Sequence, residues 1–340
     1  MGNFHRASSS AYAHRRPSGL KTLTLSAVLL LSTLISTCAQ PAVPFQSRVQ
    51  PPVAAARSPQ GVQQLALQDP QQFTPGKPYQ GGSLNGNFRL HSQVSSRYLN
   101  HARDVLVWLP PNYENNTSQR YPVMYVHDGN NLFDRRTTFG GVEWQLDETA
   151  GRLVQSQAIA PVIMVGVYNS PDRMDEYTWY SDTLDGKTMG GKGQHYADFL
   201  VKELKPMIDQ HYRTQSGKAH TGIMGSSLGG LISFYTARAY PDTFGQVGMI
   251  SPSVWWKDEQ AKSDIDTFPK DVKIWVDMGT REGSNPDAML QTAKDFVSGL
   301  ENAGFAHFKN LAFHIEAGGD HSEAAWARRI ERPLRFFYTP

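Results

Sequence analysis

His220–Gly230 reads HTGIMGSSLGG, and the reading of this stretch decides the fold. Within it Gly225-Ser226-Ser227-Leu228-Gly229 matches G-x-S-x-G. The apolar pair Ile223-Met224 precedes the motif, and a helix-forming run, Leu231 to Tyr240, follows it and stops at Pro241. Strand, tight turn and helix in that order form the setting of a nucleophile elbow, which lifts a serine hydroxyl at the carboxyl end of a strand. The turn is sharp, so its neighbours must lack bulk, and glycine supplies that. Spacing selects Ser227 over Ser226, because Gly225 and Gly229 flank Ser227 at minus two and plus two. The helix N-terminus behind it favours developing negative charge. An ordinary Gly/Ser turn between a strand and a helix carries the same letters, so the rest of the chain must decide.

Strands and helices alternate on both sides of the motif. Phe88–His91 and Asp104–Leu109 show strand patterning, and Pro110-Pro111-Asn112-Tyr113 ends the second. Tyr121–Val126 (YPVMYV), Pro161–Val167 (PVIMVGV), Val247–Ile250 and Val272–Met278 (VKIWVDM) are apolar runs typical of strands buried on both faces, and Leu311–Glu316 is a last strand. Helical spacing covers Trp144–Val154, His195–Tyr212 with a kink expected at Pro206, Pro286–Gly304 and Ala324–Tyr338. The alternation predicts an α/β fold, a mostly parallel central sheet with helices on both faces, as one domain over 81–340. Chemistry in such sheets sits at the carboxyl ends of strands.

The 340 residues are 39% hydrophobic and 11% aromatic, enough for a large core. Net charge is +2, and no basic run interleaves with aromatics, so a nucleic-acid partner is not expected. Cys38 is the only cysteine, which excludes an internal disulfide and leaves no cysteine cluster for metal or thiol chemistry. Arg15, Arg16 and Lys21 precede an uncharged leucine-rich run, Thr22–Thr37. That pattern predicts a signal peptide over 1–38. Leu34-Ile35-Ser36-Thr37-Cys38 is similar to a bacterial lipobox, which implies lipidation of Cys38 and membrane anchoring; cleavage after Ala39 is the rival. Either way the chain is expected to be exported. Eight prolines in a Gln/Ala-rich stretch mark 39–80 as a tether, and Gly190-Gly191-Lys192-Gly193 reads as a mobile loop with the character of a lid.

Three chemically useful residues follow predicted strands. Ser227 follows the elbow strand, Glu282 follows VKIWVDM, and His321 follows Leu311–Glu316 in Gly318-Gly319-Asp320-His321-Ser322. Their order, Ser, acid, His, suits a hydrolase in which imidazole takes the serine proton and a carboxylate fixes the imidazole tautomer. Asp277 lies within its strand, Asp287 opens a helix and Asp320 reads as a loop former, so Glu282 is the preferred acid. The oxyanion hole needs two backbone N–H groups. Leu228 supplies one, and the Asp128-Gly129-Asn130 turn after YPVMYV the other. A His127-Asp128 pair could suggest metal, but no H-E-x-x-H or second cluster accompanies it, so no metal and no cofactor is expected. Trp144, Arg173, Glu176 and Tyr177 sit where a substrate-facing rim could form, with a core aromatic and a surface ion pair as the bland alternative. Asp128, Trp144 and Arg173 are the substrate-binding candidates.

The blocks Leu109–Tyr113, Tyr121–Val123, His127–Phe133, Arg173–Tyr177, Gly225–Gly230 and Gly318–Ser322 together resemble the putative-esterase (esterase D-like) α/β-hydrolase family. That family includes enterochelin-type siderophore esterases, feruloyl esterases and the antigen 85 mycolyltransferases. The resemblance runs from about Asn87 to the C-terminus. It implies an α/β-hydrolase fold, with Ser227, Glu282 and His321 as nucleophile, acid and base and Asn130 as the second oxyanion donor. It further implies a serine carboxylic-ester hydrolase of siderophore or feruloyl type with a small-molecule ester as partner, and acyl transfer of the mycolyltransferase type as an alternative; a non-catalytic binding domain on a hydrolase scaffold is the rival from a different class.

Overall fold

A five-residue run such as Val123–His127 has no polar face to offer water, so both of its sides must be covered. The computed structural model, which describes residues 76–80, 83–184 and 186–340, does this with one nine-stranded sheet. The expected leader, Cys38 and the tether up to residue 75 lie outside the described residues. The strands are β1 Lys77–Tyr79, β2 Asn87–Val94, β3 Arg103–Leu109, β4 Val123–His127, β5 Ile163–Val167, β8 Thr221–Ser226, β9 Gln246–Ile250, β10 Lys273–Gly279 and β11 Leu311–Glu316. A separate hairpin joins β6 Ser181–Leu184 to β7 Lys187–Gly190. The spatial order is β1-β2-β3-β5-β4-β8-β9-β10-β11. Pairings from β1 to β5 are antiparallel, and those from β5 through β4 to β11 are parallel.

Helices α1 Leu146–Gln155, α2 Arg173–Glu176, α3 Gly193–Phe199, α4 Lys205–His211, α5 Leu228–Ala239, α6 Trp256–Ser263, α7 Pro286–Asn302, α8 Glu323–Arg329 and α9 Glu331–Tyr338 complete the fold. The period-two geometry of the strands sorts the core into two layers. Val105, Val107, Val123, Tyr125, Ile163 and Val165 pack with side chains of α3, α4, α5 and α7. Leu106, Trp108, Met124, Val126 and Met164 face the other way and pack with α1, α8 and α9. Helices therefore cover both faces.

Three local departures from the sequence reading have physical causes. The expected tether ends early, because Lys77–Tyr79 adds to β2 as an edge strand. The kink expected at Pro206 is a π turn over Leu200–Leu204, in which the Lys205 N–H reaches the Leu200 carbonyl. Proline has no N–H for the carbonyl four residues back, and the π turn reroutes the ladder just before it. The long last helix breaks at Ile330, with Pro333 early in α9 removing the donor for the Arg329 carbonyl. The expected lid loop is also pinned. Gly190 and Gly191 donate to Asp175 Oδ1 and Thr178 Oγ1 at 2.8 and 3.1 Å, and Lys192 pairs with Asp175 at 2.7 Å.

Helix α2 is fixed to the sheet by a buried ion pair. Arg103 on β3 donates two hydrogen bonds to Glu176, at 2.9 and 2.8 Å, and the two side chains are 1% and 2% exposed. Removing one partner strands the other charge in the interior. Glu176→Ala is expected to destabilise the protein by about 3–5 kcal/mol, measured by urea denaturation; a loss below about 1 kcal/mol would mean that water reaches Arg103.

Candidate active site

The strand order decides which loops meet. Since β4 and β8 are neighbours, the turn after β4 lies beside the elbow after β8; β9, β10 and β11 then bring the Ser251, Glu282 and His321 loops to the same edge. Ser227 caps α5 with φ 57° and ψ −123°. A non-glycine residue there costs about 1–3 kcal/mol and persists only when its surroundings hold it. They do: Ser227 N–H donates to the Ile250 carbonyl at 2.9 Å, and its own carbonyl accepts from Ser253, Gly230 and Leu231 at 3.0, 3.1 and 3.2 Å. A Cβ on Gly225 would lie 2.8 Å from the Gly229 carbonyl carbon and 2.9 Å from His127 Cδ2. Only glycine fits.

The structure joins His321 to Glu282. His321 Nδ1 lies 2.9 Å from Glu282 Oε2, with the histidine side chain 39% exposed and the glutamate 2%. The other glutamate oxygen, Oε1, accepts from Gly279 N–H at 2.6 Å and from the Ser251 hydroxyl. Trp326 stands edge-on to the imidazole, ring centroids 5.1 Å apart. The Ser227 hydroxyl bonds Ser253 Oγ at 3.1 Å, and no hydrogen bond joins it to His321 among the described residues. Catalytic contacts are often loose before substrate arrives.

The turn after β4 has its own constraints. Asp128 has φ 56°, and Gly129 packs so close to β5 that a Cβ would lie 2.5 Å from the Gly166 carbonyl carbon. Asn131 and Leu132 donate their N–H groups back to Asp128 and Gly129 at 2.8 and 3.4 Å. The N–H groups of Asn130 and Leu228 have no acceptor among the described residues. Asp128 is 3% exposed and receives Arg173 Nε and Nη2 at 2.6 and 2.8 Å and Asn169 Nδ2 at 2.7 Å. Burial alone would raise the Asp128 carboxyl; Arg173 outweighs it and holds the group below its usual range. Beside it, burial pushes His127 down to about 3, so this imidazole stays neutral under the elbow.

The rim candidates separate. Arg173 keeps 30% of its side chain exposed while it clamps Asp128, and its guanidinium lies 4.9 Å from the Tyr177 ring centroid. Trp144 is 1% exposed, since its indole packs on Trp326 with centroids 5.7 Å apart. Glu176 and Tyr177 are likewise buried. These three are core residues rather than rim. Sequence reasoning did not single out Ser253, Asn169 or Arg329. The strand-end rule could have found Ser253, which follows β9; nothing local marks Arg329 inside a helix.

The uncharacterised protein YbbA of Bacillus subtilis (strain 168) is 28% identical over 244 residues, 69% of this chain and 92% of its own. The iron(III) salmochelin esterase of Escherichia coli O6:H1 is 26% identical over 238 residues, 64% of this chain and 53% of its own. The crystal structure of an IroE-like serine hydrolase from Shewanella oneidensis shares the fold, with TM-score 0.59 and 20% identity over 73% of this chain and 79% of its own. The architecture is the α/β-hydrolase fold. The family described as "Putative esterase" matches residues 96–337, a span that holds β3 to β11 and all the loops above, and the chain belongs to that family and is an esterase.

Proposed function

We propose that the protein hydrolyses carboxylic esters with Ser227 as nucleophile, His321 as general base and acid, and Glu282 as the carboxylate that orients His321. The observation that carries this reading is the 2.9 Å contact from His321 Nδ1 to the buried Glu282, at the sheet edge where the elbow holds Ser227. That contact leaves Nε2 of His321 for the serine proton. Ser227 turns from Ser253 to His321, loses its proton and attacks the ester carbonyl. The N–H groups of Leu228 and Asn130 receive the oxyanion. His321 protonates the departing alcohol, then activates the water that releases the acid and restores Ser227.

Siderophore or feruloyl esters are the substrate classes favoured by the named relatives, which include the salmochelin esterase and a xylanase/feruloyl esterase. Arg173, partly exposed beside the oxyanion turn, supplies a cation suited to an acidic or catecholate group. The leader reading adds export with anchoring at Cys38. Cys38→Ala is expected to move the protein from the membrane fraction to the soluble one; unchanged fractionation would favour cleavage after Ala39.

The direct test is turnover of short p-nitrophenyl esters, methyl ferulate and a ferric triscatecholate siderophore. Ser227→Ala is expected to lower kcat by about 10³-fold or more on any substrate that is turned over, and full activity in this variant would sink the reading. Asp128 is read as holding the oxyanion turn rather than the substrate. Asp128→Asn is therefore expected to lower kcat by about 10²-fold with little change in KM, and a change confined to KM would make Asp128 a substrate contact.

A further inference from the structure

Behind His321 two carboxylates share one buried cation. Asp277 inside β10, Glu282 in the loop after it and Arg329 at the end of α8 are 0%, 2% and 1% exposed. Arg329 Nε donates to Asp277 Oδ1 at 2.9 Å, and Nη2 donates to Glu282 Oε1 at 3.4 Å and to the Ser251 hydroxyl. Nη1 donates to the Ala325 carbonyl at 3.4 Å. Ser251, held at φ 42°, passes its own hydrogen to Glu282 Oε1 and accepts from Trp326 Nε1 at 3.0 Å. Glu282 Oε1 thus takes three donors, from Gly279, Ser251 and Arg329, while Oε2 is left to His321.

We propose that Arg329 is a positioning residue for the acid: shared between Asp277 and Glu282, it is the counter-charge of the buried carboxylate pair and holds Glu282 turned so that Oε2 meets His321. This rests on the hydrolase reading above. Two buried carboxylates without a cation oppose each other's ionisation. Burial lifts the Asp277 carboxyl, the Glu282 charge lifts it further, and Arg329 limits the rise. The other charged groups facing this cluster are His321, from the loop after β11, and Glu316 at the end of β11, which pairs with His314 and feels Arg329 and Arg332. Neither replaces Arg329, since His321 must be neutral to act as base and Glu316 adds negative charge. Without the guanidinium the two buried carboxylates lose their shared counter-charge, so uptake of a proton by the pair is favoured and less negative charge faces the imidazolium.

The test measures kcat and KM against pH on a p-nitrophenyl ester for the full chain, Arg329→Met, Arg329→Lys and Asp277→Asn/Arg329→Met. Circular dichroism gives the folded fraction of each. Arg329→Met is expected to lose about tenfold or more in kcat at neutral pH, with KM nearly unchanged and the acid limb moved up by about one pH unit or more. The double variant removes the second carboxylate, so its acid limb moves back toward the wild-type position and most of kcat returns. A merely structural Arg329 would give a profile that superimposes on the wild type once scaled for folded protein, or a double variant no better than the single one. Either result overturns the proposal. If Arg329→Met does not fold, Arg329→Lys carries the test. It keeps the charge and loses the fork, so the limb stays and kcat falls; wild-type kcat, or a displaced limb, overturns the proposal. Wild-type turnover that survives Ser227→Ala would fail the hydrolase reading itself. Turnover abolished by Ser227→Ala, with an unshifted Arg329→Met profile, fails only the role of Arg329.

Discussion

The close approach between the elbow and β4 is the constraint on which the site depends. At Gly225 a single added carbon would overlap the Gly229 backbone and the His127 ring. Because that contact is tight, α5 starts immediately against the end of β8, and Ser227 has no room to relax out of its positive φ. The same contact places His127 under the elbow and Asp128 beside it. A charged imidazole there would have no water, and burial keeps it neutral. The elbow and the oxyanion turn are thus two sides of one packed joint, built from adjacent parallel strands.

Charge is then arranged in two closed sets around the joint. Asp128 is neutralised by Arg173 on α2, and α2 is itself held by the Arg103–Glu176 pair. Glu282 and Asp277 are served by Arg329 on α8. Buried ion pairs are poor sources of net stability, since desolvation offsets most of the attraction. Their value here is geometric. A bidentate guanidinium contact fixes the direction of Asp128, and Glu282 is fixed by three donors on Oε1, from Gly279, Ser251 and Arg329. Stability comes instead from the two apolar layers over the sheet.

How much of this was legible in the sequence follows from which forces act locally. The apolar runs gave the central strands to within a residue or two, because a strand buried on both faces has no polar positions to blur its limits. Pro206 announced the irregularity in its helix, though the form of it depended on neighbours, whereas the break at Ile330 was not anticipated. Ser227, Glu282 and His321 stood out because each follows a strand, and the structure places His321 on Glu282 while leaving Ser227 on Ser253. Trp144 stayed open between rim and core because an aromatic near a helix start looks the same whether it faces a ligand or Trp326, and the structure buries it on Trp326. Arg329 was invisible, since its partners Ser251, Asp277 and Glu282 lie 78, 52 and 47 residues away. Long-range polar contacts of this kind leave no local pattern.

The central claim is that Ser227 is the group that becomes acylated. The most direct measurement is to react the protein with a fluorophosphonate and locate the adduct by peptide mass mapping. The account predicts one phosphonyl group on Ser227, with labelling lost in His321→Ala. An adduct on Ser226 or Ser253 in place of Ser227, or no adduct on a protein that still turns over esters, would contradict it.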